Sequence, residues 1–563
     1  MSDTILNPIL PGFHPDPSIL RIGSDYYIAT STFEWWPGVR IHHSKDLVNW
    51  HHAAYALTRT SQLDMIGNPD SAGIWAPCLS YRDGLFYVVY TNVRTCLGAY
   101  KDTHNYFVTA KKITGPWSEP TYLTSIGFDP SFFHDDDGRT WYVSMKWDHR
   151  QKHNPFPGIF LQEYSHSEKR LIGKSKLIFK GSKLMVTEGP HIYKRNGWYY
   201  LLVAEGGTFY SHAATLTRSR KITGPYQISP YHPLLTSYKK PRHLLQRAGH
   251  ASLVETQNGQ WYLAHLCGRP LEWRGEDRNK AGGYDTLHCP LGRETAIQAV
   301  QWTDDDWLRL SHGTNTPEWT VAAPKLKRVY ATPKSESEID DFDSLKLSPH
   351  FNSLRRPVNS NWLSLKARKG FLRLYGHESF SSVHNQSLIA RRLDSFKAEA
   401  STAIEFSPKS FQQMAGLVVY YNSHNHAYLY ITHDKELGRI LTISKTDRNV
   451  YSEIKKPVSL DKAKRVWLKV VFDQTVFRFF YALTKDAWHQ IGQEYSMAFI
   501  SDENATNFTS NTKAFSFGFT GTYIGLACQD FTGGGMHADF DYFSYRSFPT
   551  TIALKKKLKT KKK

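Results

Sequence analysis

Five short segments in the first half of the chain carry side chains suited to acid–base chemistry, and they recur at nearly equal intervals. They are Asp16-Pro17-Ser18, Trp75-Ala76-Pro77, Asp129-Pro130-Ser131, Glu188-Gly189-Pro190 and His250-Ala251-Ser252. Each stands 11 to 13 residues before a tyrosine of a second repeating motif: Tyr27, Tyr87, Tyr142, Tyr200 and Tyr262. Three of the five leading residues are carboxylic acids. Brought to one place, three acids suit cleavage of a glycosidic bond. That reaction needs a proton donor at the leaving oxygen and a carboxylate on the opposite face, ~6.5–9.5 Å from it when the carboxylate activates water. A third acid beside the donor raises its pKa, because neighbouring carboxylates resist joint ionisation. A purely structural role for three clustered acids is costly, since burial penalises their charge unless it is used or paired. The fifth position, His250, has two readings: a metal ligand, or a hydrogen-bonded ring that plugs the centre. Phe33, Trp35, Trp36, Trp75 and Phe128 flank the acids and can wall a small sugar pocket, although rings of this size also serve as core.

The second motif says what positions these residues. A turn residue, an aromatic pair and then aliphatic residues occur five times, as Asp25-Tyr26-Tyr27-Ile28, Leu85-Phe86-Tyr87-Val88, Thr140-Trp141-Tyr142-Val143, Trp198-Tyr199-Tyr200-Leu201 and Gln260-Trp261-Tyr262-Leu263. The second tyrosines lie 60, 55, 58 and 62 residues apart, each motif with a glycine just upstream. Each copy reads as a strand entered from a tight turn. Five such units with little helical periodicity predict a β-propeller of five blades over residues 1–311. Equivalent positions then form a ring, so the three acids, Trp75 and His250 project into one central funnel. Residues 312–339, with Pro317, Pro324 and Pro333, read as a linker. Alternating runs such as Val466-Trp467-Leu468-Lys469-Val470-Val471-Phe472 predict a β-sandwich over residues 340–548.

Composition narrows the classes. With 40% hydrophobic and 21% charged residues the chain of 563 reads as globular. No apolar run approaches the ~18 residues of a membrane span, and no membrane partner is expected. The start lacks a basic and an apolar signal region, and the five cysteines show no paired spacing, so a cytoplasmic protein is expected. The net charge of +19 owes seven units to the lysines among Leu554–Lys563. Residues 549–563 therefore read as a solvated basic tail, with nuclear import or an acidic surface as the alternative. No nucleic-acid motif accompanies the charge, and no nucleic-acid partner is expected.

Several segments resemble glycoside hydrolase family 43. They are Asn7 to Ser18 (Asn-Pro-Ile-Leu-Pro-Gly-Phe-His-Pro-Asp-Pro-Ser), Thr32 to Gly38, Gly127 to Ser131, Thr187 to His191 and Leu291 to Thr295. The chain is most similar to the two-domain β-xylosidase branch, through both domains to about Arg546. The resemblance implies an inverting, exo-acting enzyme that releases xylose from xylobiose and short xylo-oligosaccharides, with α-L-arabinofuranosidase as a side or even main activity on arabinosides. It implies Asp16 as general base, Asp129 as pKa modulator and orienter, and Glu188 as general acid. It also implies that Arg293 binds sugar hydroxyls and that Phe33, Trp75, Ala76, Phe128 and Thr208 line the pocket. In this branch an aromatic from the sandwich closes one wall, and Tyr523 is the candidate. No obligate cofactor is implied, while a calcium ion near the axial His250, held directly or through water, and a homo-oligomer are left open. Two other classes compete. A retaining fructosidase would open with Asn-Asp-Pro-Asn where this chain has His14-Pro15-Asp16-Pro17-Ser18. A non-catalytic sugar-binding propeller would not need its carboxylates.

Overall fold

The computed structural model describes residues 4–271, 287–326, 338–460, 463–508 and 514–548. The expected basic tail and residues 327–337 of the expected linker lie outside the described residues. Five antiparallel sheets of four or five strands follow one another in chain order from Ser18 to Leu310. They are the blades of a five-bladed propeller, and the rest is a β-sandwich, as the sequence predicts. Among the described residues no helix is long and apolar enough to cross a membrane.

The repeated aromatic motif forms the second strand of every blade: Asp25–Thr30, Leu85–Thr95, Thr140–Met145, Trp198–Glu205 and Trp261–Gly268. Each pairs with an innermost strand that precedes it: Ser18–Ile22, Cys78–Arg82, Ser131–His134, Glu188–Arg195 and Gln246–Glu255. A blade is covered on both sides by its neighbours, so its strands are apolar on both faces. Thr140–Met145 is buried at every position. The glycine before each motif explains the hairpin. Gly84 and Gly138, for example, sit at φ +79° and +89°, a conformation that costs a residue with a Cβ.

The ring is closed from its two ends. Thr4–Leu6 pairs with Thr320–Ala322, Leu10 bridges Thr295, and the Asn7 amide donates to the carbonyls of Ile297 and Glu318 at 2.8 and 2.9 Å. The first part of the expected linker, as far as Ala322, is thus held against the propeller.

The sandwich stacks an eight-stranded sheet on a nine-stranded one. In the eight-stranded sheet, Arg465–Asp473 alternates strictly: Val466, Leu468, Val470 and Phe472 face the core and the intervening residues face out. The nine-stranded sheet is buried on both sides. One face closes the sandwich core through Leu417, Val419 and Leu429. The other face packs Tyr420, Tyr428 and Tyr523 on Phe13 and Trp35 of the propeller. The two units share a sheet outright, because Trp35–Trp36, lying between two strands of the first blade, pairs with Asn352–Leu354. Buried ion pairs reinforce the seam: Arg355 with Asp70 at 2.6 Å, and Arg247 with both Asp502, at 2.6 Å, and Glu503.

Candidate active site

The five leading residues of the repeat converge on one cavity of about 280 Å³, lined by Asp16, Trp75, Asp129, Glu188 and His250. Three of them have unusual backbones. Asp16, Asp129 and His250 lie at φ +54°, +54° and +45°, in the left-handed region that non-glycine residues seldom adopt. At Asp16 and Asp129 the chain turns sharply and then enters the innermost strand, and at His250 it turns in a bulge within that strand. In the fourth blade the positive φ falls instead on Gly189, at +56°. A Cβ on Gly189 would sit 2.9 Å from the His250 ring, so glycine is what lets the histidine occupy the axis.

The carboxyls differ in environment. Asp16 accepts from the Ser31 hydroxyl at 2.6 Å and from Arg293 Nη1 at 3.2 Å, and His250 Nδ1 stands 3.6 Å away. Burial pushes its pKa up, but Arg293, His250 and Ser31 outweigh that push and hold it below the ordinary carboxylate value. Asp16 is therefore ionised at neutral pH. Glu188 is pushed up to about 8 by burial and then by the charge of Asp16, against the opposing pull of Arg293 and Lys101. Asp129 accepts the Gly189 N–H at 3.1 Å, yet burial, Glu188 and Asp16 drive it well above the ordinary range. The cavity thus sets one acid held low, Asp16, against two whose proton affinity is raised, Asp129 and Glu188. Repulsion between the two carboxyls is mutual: the charge of Glu188 raises Asp129, and a charge on Asp129 raises Glu188 beyond what burial and Asp16 do.

Arg293 is the hub of the remaining polar contacts. Its Nη1 also donates to Thr208 Oγ1 at 2.9 Å, and its Nη2 donates to the Phe519 carbonyl at 3.0 Å. Phe33 and Phe519 cover its guanidinium at 5.2 and 5.4 Å. Phe33, Trp75, Ala76, Phe128, Thr208 and Arg293 all line the cavity, as the resemblance implies. Trp75 is fixed by its indole N–H, which donates to the Ser71 carbonyl at 2.9 Å, and it meets Phe128 edge-on at 5.0 Å.

Tyr523 does not line the cavity. It is fully buried, stacked on Trp35 at 3.7 Å, at the start of a strand buried along its whole length, Tyr523–Asp530. The sandwich instead contributes Phe517 and Phe519, stacked on each other at 4.7 Å. They lie in the turn before that strand, where side chains are free to leave the sheet. The propeller grips this turn: Ser71 Oγ donates to the Phe517 carbonyl at 2.6 Å and accepts the Phe519 N–H at 3.2 Å. Gly292, at φ +74°, leaves room for the Thr520 carbonyl, 1.9 Å from where a Cβ would be. Lys101, Trp147, Phe209 and His212, which the repeat does not point to, also line the wall. These come from blade loops and from positions off the repeat, which the repeat register does not reach. An aromatic-Gly-aromatic run at Phe517-Gly518-Phe519 was the visible signal for the sandwich wall.

For calcium, the donor set at His250 fits poorly. A hard cation takes ~6–8 oxygen ligands. Near His250 stand one carboxylate, already engaged by Arg293 and Ser31, and the rings of His212 and His191. Among the described residues no three His, Cys, Asp or Glu side chains converge to hold a metal.

Comparison with known proteins agrees with this geometry. Residues 5–308 match the model of glycosyl hydrolases family 43, and residues 339–546 match that of the β-xylosidase C-terminal concanavalin A-like domain. A β-xylosidase of Bacillus subtilis is 48% identical over 544 residues, 96% of this chain and 99% of its own. An α-L-arabinofuranosidase of Bacteroides ovatus, acting at non-reducing ends, is 33% identical over 96% of this chain and 95% of its own. The crystal structure of a xylan β-1,4-xylosidase from Bacillus halodurans superposes with a TM-score of 0.91 at 53% identity, covering 96% of this chain and all of that one.

Proposed function

The chain belongs to glycoside hydrolase family 43, and from that premise we propose that it is an inverting, exo-acting β-xylosidase. It releases xylose from the non-reducing ends of xylobiose and short xylo-oligosaccharides, with α-L-arabinofuranosidase as a side activity. The observation that carries this reading is the pairing of an ionised Asp16 with a protonated Glu188 in one small aromatic-walled cavity. Asp16 takes a proton from water as its oxygen bonds to the anomeric carbon. Glu188 gives its proton to the leaving oxygen as the glycosidic bond breaks. Solvent then resets both carboxyls. Asp129 orients: its position beside Glu188 and its raised pKa suit a neutral carboxyl that hydrogen-bonds a sugar hydroxyl. Arg293 and Thr208 bind hydroxyls, and Phe33, Trp75, Phe128 and Phe519 present faces and edges to the ring.

Substrate size follows from the walls. A cavity of about 280 Å³ is at the small end of ligand pockets, ~300–1,000 Å³, and the sandwich blocks one side. It admits a chain end and not a chain middle. All five cysteines are buried and unpaired, which suits a reducing compartment, and we place the enzyme in the cytoplasm. The test is a rate comparison on xylobiose, polymeric xylan and the nitrophenyl β-xyloside and α-L-arabinofuranoside. Xylobiose should be cleaved far faster than xylan and the xyloside faster than the arabinofuranoside. Faster cleavage of xylan overturns the closed pocket, and a reversed nitrophenyl preference makes the arabinofuranosidase the main activity.

A further inference from the structure

Glu205 is a buried carboxyl that the chemistry above does not use. It ends the second strand of the fourth blade, Trp198–Glu205, one residue past Ala204, which pairs with Glu188 in the ladder. Among the described residues no cationic side chain stands within ion-pairing distance of it. Hydroxyls and one backbone amide meet it instead. Its Oε1 accepts the Ser182 N–H at 2.6 Å and the Thr187 hydroxyl at 2.9 Å. Its Oε2 accepts the Ser182 hydroxyl at 2.6 Å and the Thr215 hydroxyl at 2.5 Å. Donors on both oxygens fill the acceptor sites of the group and offset the cost of burying it.

Ser182 and Thr187 are the two ends of the segment that delivers Glu188. Between them the backbone is strained. Met185 and Val186 lie at φ +63° and +50°, and for the β-branched Val186 that conformation is a genuine outlier. Such residues persist only where their surroundings over-determine them. Packing does little of this: Lys183 and Met185 are exposed, and Ser182, Leu184 and Val186 are half-buried. Hydrogen bonds do it, from Glu205 at both ends and from the Gly206 N–H to the Met185 carbonyl, at 2.8 Å, in the middle. Gly181 makes the closure possible, because a Cβ there would stand 2.1 Å from Thr187 Oγ1 and 3.3 Å from Glu205 Oε1. The sheet alone holds Glu188 loosely. Its ladder to Trp198–Glu205 is regular from His191 onward, and a bulge separates His191 from Glu188.

We propose that Glu205 is the positioning residue of the proton donor. By clamping Ser182 and Thr187 together it fixes the strained turn that aims Glu188 at the leaving oxygen. Glu205 does not line the cavity, so it acts through Thr187, the residue bonded to Glu188, and through Val186, which does line it. The inference rests on the reading of Glu188 as general acid. Proton transfer is steep in distance, and a displacement of ~1 Å costs on the order of 10²-fold.

The experiment measures kcat on xylobiose, whose leaving group needs a proton, and on dinitrophenyl β-xyloside, whose leaving group does not. Full-length Glu205→Ala, Glu205→Gln, Thr187→Val and Glu188→Gln are compared, and thermal unfolding establishes that each is folded. Glu205→Ala should lose roughly 10²-fold on xylobiose and stay within about threefold of wild type on the aryl xyloside. Thr187→Val deletes one hydroxyl at nearly constant shape and should show the same split at roughly tenfold, the scale of one buried hydrogen bond. It carries the test if Glu205→Ala does not fold. Glu205→Gln should recover most of the loss, because its carbonyl takes the Ser182 N–H while the Ser182 and Thr215 hydroxyls turn to accept from its amide. A merely structural glutamate slows both substrates alike, so an equal loss on the two in a folded variant overturns the proposal. Wild-type turnover of xylobiose by Thr187→Val overturns it too, as does a Glu205→Gln as impaired as Glu205→Ala. Glu188→Gln tells the two claims apart. If it lacks the split, the general-acid reading falls and takes the proposal with it. If it shows the split and the Glu205 and Thr187 variants do not, the positioning role alone falls.

Discussion

Asp16 and Glu188 are expected to fail differently when altered. Asp16→Asn removes the group that deprotonates water, a step indifferent to the leaving group. Turnover should fall by roughly 10²–10⁴-fold on xylobiose and on activated aryl xylosides alike. Glu188→Gln should lose as much on xylobiose but recover most of it on aryl xylosides, whose leaving groups depart without a proton. A leaving-group series checks both; selective rescue of Asp16→Asn instead would exchange the roles. The pH profile follows from the same carboxyls. Asp16 is held below its ordinary value and so stays ionised through neutral pH. Glu188 keeps its proton until about pH 8, above which kcat/KM should fall. Asp129→Asn removes a carboxyl that repels the charge of Glu188, so it should lower the rate on both substrate classes and move the alkaline limb downward. A limb left at its wild-type position in Asp129→Asn would show that burial and Asp16 alone raise Glu188.

At the scale of elements, the turn before strand Tyr523–Asp530 matters more than the strand. Phe519→Ala removes a ring from the cavity wall, and KM for xylobiose should rise by roughly tenfold. Tyr523→Phe removes a buried hydroxyl that has no partner, so KM and thermal midpoint should both stay within error of wild type or the midpoint should rise. Steady-state kinetics on the two variants decides which residue closes the pocket. This contrast also marks how far the sequence can be read. The repeat was legible because each blade repeats one hairpin, and a fixed offset from the motif tyrosine finds Asp16, Trp75, Asp129, Glu188 and His250. The sandwich wall was not, because it depends on which side of a sheet edge a ring leaves, and a shift of four residues separates Phe519 from Tyr523. Lys101 and Trp147 were hidden for a related reason: they come from loops whose placement follows from packing and not from period.

At the scale of the molecule, propeller and sandwich act as one body. Trp35–Trp36 is a strand of the sandwich, and the buried Arg247 pairs with the buried Asp502 and the half-buried Glu503 across the seam. Glu503 also accepts from the Tyr210 hydroxyl at 2.6 Å and from the Cys289 N–H at 2.7 Å, next to the loop that carries Thr208 and the turn that leads into the strand begun by Arg293. Arg247→Met leaves the buried Asp502 carboxyl beside Glu503 without its cation, which should cost about 3–5 kcal/mol of stability. It should also lower activity, whereas Arg170→Ala, at a pair on the exposed rim of the third blade, should change neither. Denaturant unfolding with parallel assays checks this. In the proposed mechanism the whole arrangement serves one event, the attack of a water held by Asp16 on the face opposite Glu188. Proton NMR of the first xylose released from a β-xyloside tests that most directly. The α-anomer should appear first and then relax to the equilibrium mixture. Initial release of the β-anomer would mean that a carboxylate, and not water, attacks the sugar, and would contradict the account.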